Sequence, residues 1–188
     1  TLKELPEKAR IGTGSLRRKV LLHQIRPDLE IVPIRGNVET RIEKLKLENL
    51  DAVILSEAGL IRLGIKPEFK EVLDPNTFFP APGQGVISIQ TRRLDQDIKQ
   101  TVQSISDPIQ SQVSSAELLF MKALNFDCTI PLGLTISTKK DTEDSQLTIQ
   151  AFSTDNEGNN QKTYKLDTSF ESINERIIEC AEKVRQNK

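Results

Sequence analysis

Three short segments of this 188-residue chain combine glycine with arginine, and each follows a stretch typical of a β-strand. Arginine is unusual in the first turn of a helix, because the positive end of the helix dipole disfavours cations there. A bound anion removes this penalty, since backbone N–H groups, a hydroxyl and guanidinium forks can converge on it. The segments therefore indicate a site for a ligand with several carboxylates or phosphates. They are GTGSLRR (12–18), RGNVETR (35–41) and EAGLIR (57–62).

The competing interpretation is that these arginines are ordinary solvated surface residues. One Gly-Ser helix start is weak evidence for a ligand. Three adjacent turns of one design favour the polyanion site, with the Ser15 hydroxyl as a further donor and with Gly14 and Gly36 allowing the ligand close to the main chain. The cations that would surround one crevice are Arg17, Arg18, Arg35, Arg41 and Arg62.

The elements that must position these turns alternate between strand and helix. Apolar runs in ARIGT, EIVPI and DAVIL predict three strands, and the intervening sequences predict helices, the first with Leu16, Val20, Leu22 and Ile25 on one face. This alternation predicts a parallel sheet with crossover helices. Its turns then lie at the carboxyl ends of the strands, where such sheets bind ligands.

The pattern changes further along the chain. VISIQTR (86–92) predicts a strand, LDQDIKQTVQSI a helix, and Asp107-Pro108 the start of another helix. After Cys128, period-two alternation in LTISTKK, LTIQAFST and QKTYKLDT predicts three antiparallel strands, followed by an amphipathic helix. The predicted fold is α/β, with a three-layer, parallel-type sheet domain similar to periplasmic binding proteins. A small α+β domain with a three-stranded antiparallel sheet follows it.

Composition excludes several function classes. The net charge of −1 provides no overall field for nucleic acid or an anionic membrane, and no apolar run reaches membrane-spanning length. Two cysteines and one histidine form no cluster at metal-ligand spacing, so no metal site is expected. Without an export signal, we expect reduced thiols in a cytoplasmic protein. Cys180 fits helix packing, whereas Cys128, in a Pro- and Gly-containing loop, could be either a buried thiol or a functional one.

These motifs, in their order and spacing, resemble one family, the porphobilinogen deaminases, also called hydroxymethylbilane synthases. The resemblance covers about residues 11–133, through GTGSLRR, PDLEIVPIRGNVETRIEKL, DAVILSEAGLIRLG, FPAPGQGVISIQTR and DCTIPLG. It implies a transferase of haem and tetrapyrrole biosynthesis. Four porphobilinogen units would condense onto a cysteine-linked dipyrromethane primer, giving hydroxymethylbilane and ammonia.

The resemblance also implies roles for individual residues. Cys128 would hold the dipyrromethane cofactor as a thioether, which gives that loop thiol a function. The implied cofactor-binding residues are Ser15, Arg17, Arg18, Arg35, Gly36 and Arg41. The implied substrate-binding residues are Thr13, Asn37, Gly59, Arg62 and Gln84.

The resemblance further implies three domains in the complete enzyme, the first of which contributes the catalytic aspartate. We expect residues 1–82 to form the family's second domain, 83–106 a hinge with a remnant of the first, and 107–188 the C-terminal domain with the cofactor cysteine. VISIQTR would then be an orphan strand. No catalytic residue is expected in this chain, because Glu39 and Glu57 do not match the family's aspartate.

We therefore expect the chain alone to be inactive, to need the missing N-terminal domain, and to be a monomer when complete. It differs from the family in having Phe126 and Asp127 where two glycines are usual, and Leu118 where arginine is common. Glu57 places an acid close to the anion site. The alternative function is a polycarboxylate-binding module without catalysis.

Overall fold

The structure is a computed structural model that describes residues 1–125, 130–138 and 146–185. The chain forms two compact units. The first unit is built mainly from Thr1–Phe79 and also includes Thr154–Gln161. The second unit begins at Pro80 and includes Leu132–Ser153 and the described residues from Lys162 onward.

The first unit contains a three-stranded parallel sheet. Its strands are β1 (Arg10–Gly12), β2 (Glu30–Val32) and β3 (Ala52–Val53), in the spatial order β2-β1-β3. Helices α1 (Leu16–Ile25), α2 (Val38–Leu47) and α3 (Glu57–Arg62) follow the three strands in turn. The strand–helix alternation expected for this part of the chain is therefore confirmed.

The face that α1 turns to the core agrees only in part with the expected one. Val20 and Leu22 are buried as expected, but Leu16 and Ile25 are 37% and 39% exposed and do not belong to the buried face. The buried residues include Arg17, Val20 and Leu21, which are spaced i, i+3 and i+4 and so share one side of the helix. The apolar periodicity was misleading because an arginine occupies one of the inner positions.

The second unit contains an antiparallel sheet, again as expected. Its strands are β4 (Leu132–Thr138), β5 (Gln146–Ser153) and β6 (Lys162–Ser169), in the order β4-β5-β6. Helices α5 (Pro108–Ala123) and α6 (Ile173–Val184) cover it, and α4 (Gln96–Ser104) precedes them. The Asp107 side chain caps α5 by accepting from Gln110 N at 2.9 Å, with Pro108 at the first helical position.

The core of the second unit lies between these helices and the sheet. Phe120 of α5, Ile149 of β5 and Ile177 of α6 are fully buried and belong to one apolar cluster. Cys180 is fully buried in the same cluster, as its place on the apolar face of the last helix predicted. Burial raises the pKa of the Cys180 thiol to about 12, and the nearby Glu179 carboxylate adds to this increase.

One expected element is absent from the described residues. We expected a strand in VISIQTR, but residues 86–92 form no strand in this structure. Ile87 and Ile89 are 70% and 53% exposed there. The physical reason is that a strand requires a hydrogen-bonded neighbour, and both sheets of the described chain consist of other segments. Among the described residues, no helix combines the length and apolar character needed to cross a membrane.

Candidate functional site

The three glycine- and arginine-containing turns leave the parallel sheet at the same edge. At the last residue of β1, Gly12 lies opposite Val32 of β2 and Val53 of β3. Thr13 N donates to Val32 O at 3.0 Å, and Ile54 N donates to Gly12 O at 3.1 Å. We call the turns formed by residues 13–15, 33–37 and 54–56 the carboxyl-end rim.

The first turn of the rim is organised by two hydroxyls. Ser15 is the N-cap of α1, and its Oγ accepts from Arg18 N at 3.4 Å. Thr13 is only 3% exposed, and its Oγ1 accepts from Ser15 N at 3.3 Å. Thr13 therefore supports the turn from inside, whereas Ser15 is half-buried at the start of the helix.

Gly14 is required for packing between two turns. A Cβ added to Gly14 would lie 2.6 Å from the backbone oxygen of Ile34, in the second turn. That distance is shorter than real Cβ contacts, and a backbone oxygen cannot move aside as a flexible side chain can. The sequence suggested that this glycine gives a ligand access to the main chain. The structure gives it a packing role, because it lets the first and second turns approach each other.

The second turn is fixed by its own side chains. Gly36 has φ +127°, a conformation that favours glycine, and Asn37 caps α2 by accepting from Thr40 N at 2.8 Å. Arg41 Nε donates to Gly36 O at 2.8 Å. This bond joins the guanidinium to the turn that precedes its own helix. Arg41 is therefore held at the rim rather than extended into solvent.

Arg17 and Arg18 are adjacent but lie in different environments. Arg17 is 9% exposed, and its guanidinium donates to the carbonyl oxygen of Phe79. Burial, and secondly the charge of Arg18, lower the pKa of Arg17 to about 10. Arg17 therefore remains protonated at neutral pH and contributes to the packing of the first unit.

Arg18 and Arg41 are two cations at the rim that are close enough to repel each other. The Arg18 guanidinium donates to Ile54 O, in the third turn, at 2.9 Å. Burial is the main cause that lowers the pKa of Arg18, and the charge of Arg41 is the second. Within the described part of the chain, neither guanidinium forms an ion pair with a carboxylate. Two fixed cations that repel each other are the arrangement that a bound polyanion stabilises.

The other residues of the expected site are placed more variably. Arg35 is exposed in the second turn, and Arg62 is exposed in the last turn of α3. Gly59 lies inside α3, where an added Cβ would be 3.0 Å from Val38 Cγ2, so it allows α3 to approach α2.

Gln84 belongs to the second unit, in an exposed turn where its side-chain oxygen accepts from Ala81 N at 3.2 Å. Cys128, Phe126 and Asp127 lie outside the described residues.

One partner at the rim was missed by sequence reasoning. Glu57, the acid expected close to the anion site, forms an ion pair with Lys70, whose Nζ lies 2.5 Å from Glu57 Oε1. Lys70 is in the irregular segment after α3, thirteen residues along the chain. No helical or strand periodicity links two positions at that spacing, so the sequence contains no signal for this pair.

Comparison with known proteins identifies the family. A sequence model described as "Porphobilinogen deaminase, dipyromethane cofactor binding domain" matches residues 1–100, which is more than half of the chain. The chain belongs to the porphobilinogen deaminase family. The family expectation derived from the motifs is thereby confirmed.

Individual porphobilinogen deaminases support this assignment. The protein of Clostridium novyi (strain NT) is 44% identical over 148 residues, covering 75% of this chain and 48% of the relative. That of Limosilactobacillus reuteri (strain DSM 20016) is 46% identical over 134 residues, covering 71% and 44%. That of Roseiflexus castenholzii is 40% identical over 133 residues, again covering 71% and 44%. The chain thus spans about half the length of the curated relatives it matches.

Proposed function

We propose that this chain contributes the carboxylate-binding part of a porphobilinogen deaminase, in tetrapyrrole biosynthesis. The reaction would add four porphobilinogen units to a dipyrromethane primer, with release of one ammonia per unit, and water would then cleave the tetrapyrrole from the primer as hydroxymethylbilane. The observation that carries the proposal is the Arg18–Arg41 pair, two partly buried cations without a carboxylate partner in the described chain, at the rim of a family member. Family membership does not favour the alternative of an anion-binding module without catalysis.

The chemistry of the rim fits the proposed primer and product. Every ring of such a pyrrole chain has an acetate and a propionate, so both primer and product are polyanions. Guanidinium groups bind carboxylates with two parallel hydrogen bonds, and this fixes orientation as well as position. When bound, the dipyrromethane would supply the terminal pyrrole carbon to which the first new unit is joined.

The proposed roles of the protein residues are binding and orientation. Arg18 and Arg41 would hold carboxylates of the primer, with the N–H groups at the start of α1 and α2 as further donors. Ser15, Arg35 and Gly36 would complete the cofactor side, and Arg17 would support it through its contact with Phe79. Fixed charges already in place at the rim lower the cost of organising each new ring.

Other assignments rest on the family resemblance. We propose that Cys128 is the thioether attachment point of the primer. The proposed substrate-binding residues are Thr13, Asn37, Gly59, Arg62 and Gln84. Residues 1–82, 83–106 and 107–188 would be the anion-binding domain, the hinge with part of a further domain, and the C-terminal domain. The sheet domain would have the architecture of periplasmic binding proteins.

We also propose that turnover requires a segment equivalent to the unmatched half of the relatives. Exposed apolar side chains in residues 86–105 support this, because a surface of this kind usually has a partner. They include Ile87, Leu94, Ile98 and Ile105, which are between 49% and 88% exposed. With that segment present, we propose a cytoplasmic monomer; without it, the chain should bind polycarboxylates but release no ammonia from porphobilinogen.

Mass spectrometry of the purified chain tests the proposal. The chain should be produced in cells that also express the equivalent of the unmatched half. We expect a dipyrromethane adduct on the wild type and on Cys180→Ser, and none on Cys128→Ser. Peptide mapping that finds the adduct on another residue, or no adduct in any sample that releases ammonia from porphobilinogen, would contradict the proposal.

A further inference from the structure

Glu57 places a negative charge next to a site proposed to bind a polyanion. It is the first residue of α3, which begins three residues after Ile54. The carbonyl oxygen of Ile54 accepts the hydrogen bond from Arg18. Three residues span at most about 11 Å, so the backbone of Glu57 lies within that distance of the Arg18 contact. This is close enough for the Glu57 charge to act on a ligand at the rim, particularly at low salt.

The local structure explains why an acid is present. Ser56 is in the N-cap position of α3, but its side chain makes no capping hydrogen bond. A carboxylate in the first turn of a helix interacts favourably with the unpaired N–H groups there. Glu57 therefore stabilises the start of a short, otherwise uncapped helix, but its charge opposes anion binding nearby.

Lys70 offsets that charge. Its Nζ lies 2.5 Å from Glu57 Oε1, and the two side chains are 43% and 44% exposed. The segment that presents Lys70 is also held at the next residue, since Glu71 accepts a hydrogen bond from the backbone of Leu2. The fold thus places a cation from a distant loop beside the acid at the rim.

We propose that Lys70 sets the anion affinity of the rim by neutralising Glu57. This inference rests on the proposed polycarboxylate-binding function and adds to it a residue outside the arginine-containing motifs. Lys70 does not need to touch the ligand. It removes a repulsion that the ligand would otherwise meet, so its effect should follow the net charge of the Glu57–Lys70 pair.

Charge variants separate this effect from a direct contact. Lys70→Met leaves one uncompensated negative charge, Glu57→Gln leaves one positive charge, and the double variant restores the wild-type net charge. At about 10 Å in water, repulsion between the uncompensated Glu57 charge and one ligand carboxylate lowers the affinity about twofold. With two or three carboxylates of benzenehexacarboxylate at that distance and the others further away and screened, we expect Lys70→Met to bind about 4- to 8-fold more weakly at low salt. Glu57→Gln should bind more tightly, and the double variant like the wild type.

Lys44→Met is the matched control. Lys44 forms an ion pair with Glu48 at 3.3 Å near the end of α2, away from the rim, so this substitution changes the net charge of the protein equally. Arg18→Met serves as the control for the site itself. Affinities are measured by titration calorimetry with benzenehexacarboxylate at low salt and again at 0.5 M salt, where the Lys70 effect should largely disappear.

The outcomes distinguish the two proposals. Weaker binding by Lys70→Met, restored in the double variant and absent in Lys44→Met, supports the role of Lys70. If Arg18→Met weakens binding but Lys70→Met does not, the role of Lys70 is refuted while the anion site stands. A double variant as weak as Lys70→Met would show direct ligand contact and would also refute neutralisation. If the wild type binds no benzenehexacarboxylate, both proposals fail.

Discussion

Replacing Arg18 with methionine should separate binding from stability. The Arg18 guanidinium contributes one hydrogen bond to the fold, to Ile54 O at 2.9 Å. Losing it costs about 1 kcal/mol. The substitution also relieves the burial of a charge and its repulsion by Arg41, the two causes that lower the pKa of Arg18. We therefore expect the free energy of unfolding to change by less than about 1 kcal/mol, a near-cancellation of these contributions.

The effect on ligand affinity should be much larger. A hydrogen bond between a guanidinium and a carboxylate contributes about 1.5–3 kcal/mol, which corresponds to a loss of about 10- to 150-fold in affinity. Calorimetric titration with benzenehexacarboxylate gives the affinity, and urea denaturation gives the stability. Lys19→Met is the control, because Lys19 is the next residue of α1, is exposed, and has the same charge.

Two results would refute this reasoning. If Arg18→Met and Lys19→Met reduce affinity equally, Arg18 acts only through the net charge of the protein. If Arg18→Met lowers the free energy of unfolding by about 3 kcal/mol or more, Arg18 is primarily a structural residue, and its burial beside Arg41 is compensated by the fold.

Three further predictions concern the residues that maintain the site. Gly14→Ala should reduce the free energy of unfolding, measured by urea denaturation, by about 1–3 kcal/mol and should weaken anion binding. The reason is that the new Cβ would lie 2.6 Å from Ile34 O. Wild-type stability and binding would contradict the close approach of the two turns. The hydrogen bond from the Arg26 guanidinium is the main cause that lowers the pKa of Asp28, and the Lys8 N–H is the second. Asp28 should therefore stabilise the fold fully above its ordinary pKa of about 4, and this stabilisation should decline as the pH falls below that value. The difference in the free energy of unfolding between wild type and Asp28→Asn should therefore shrink as the pH falls from 5 to 2, and a constant difference would count against the pair. Cys180 should react with maleimide only after unfolding, because it is fully buried and its pKa is about 12; labelling of native Cys180, located by peptide mapping, would contradict its burial.

Sequence periodicity predicted most of the elements but not every buried face. The strand–helix alternation predicted the parallel sheet, and period-two alternation predicted β4–β6, because each pattern reflects one repeating geometry. It failed at α1, where Arg17 takes an inner position beside Val20. It also failed at residues 86–92, because a strand depends on a partner that a local pattern cannot supply.

The site itself was predictable where its residues are close in sequence. Placing Arg18 and Arg41 at one rim required only that parallel strands end at the same edge. The different burial of Arg17 and Arg18 depends on packing against Phe79, and the Glu57–Lys70 pair depends on the path of a loop. Contacts of this kind are set by tertiary structure and have no local sequence signal.

Chemical-shift mapping tests most directly whether the carboxyl-end rim is the anion site. Isotope-labelled chain is titrated with benzenehexacarboxylate at low salt, and the shifts of assigned backbone amides are followed. The account predicts the largest shifts at Ser15, Arg18 and Asn37, in the first and second turns, with Leu147 and Ile149 of β5 unaffected. Shifts confined to the second unit, or shifts of equal size in wild type and Arg18→Met, would contradict it.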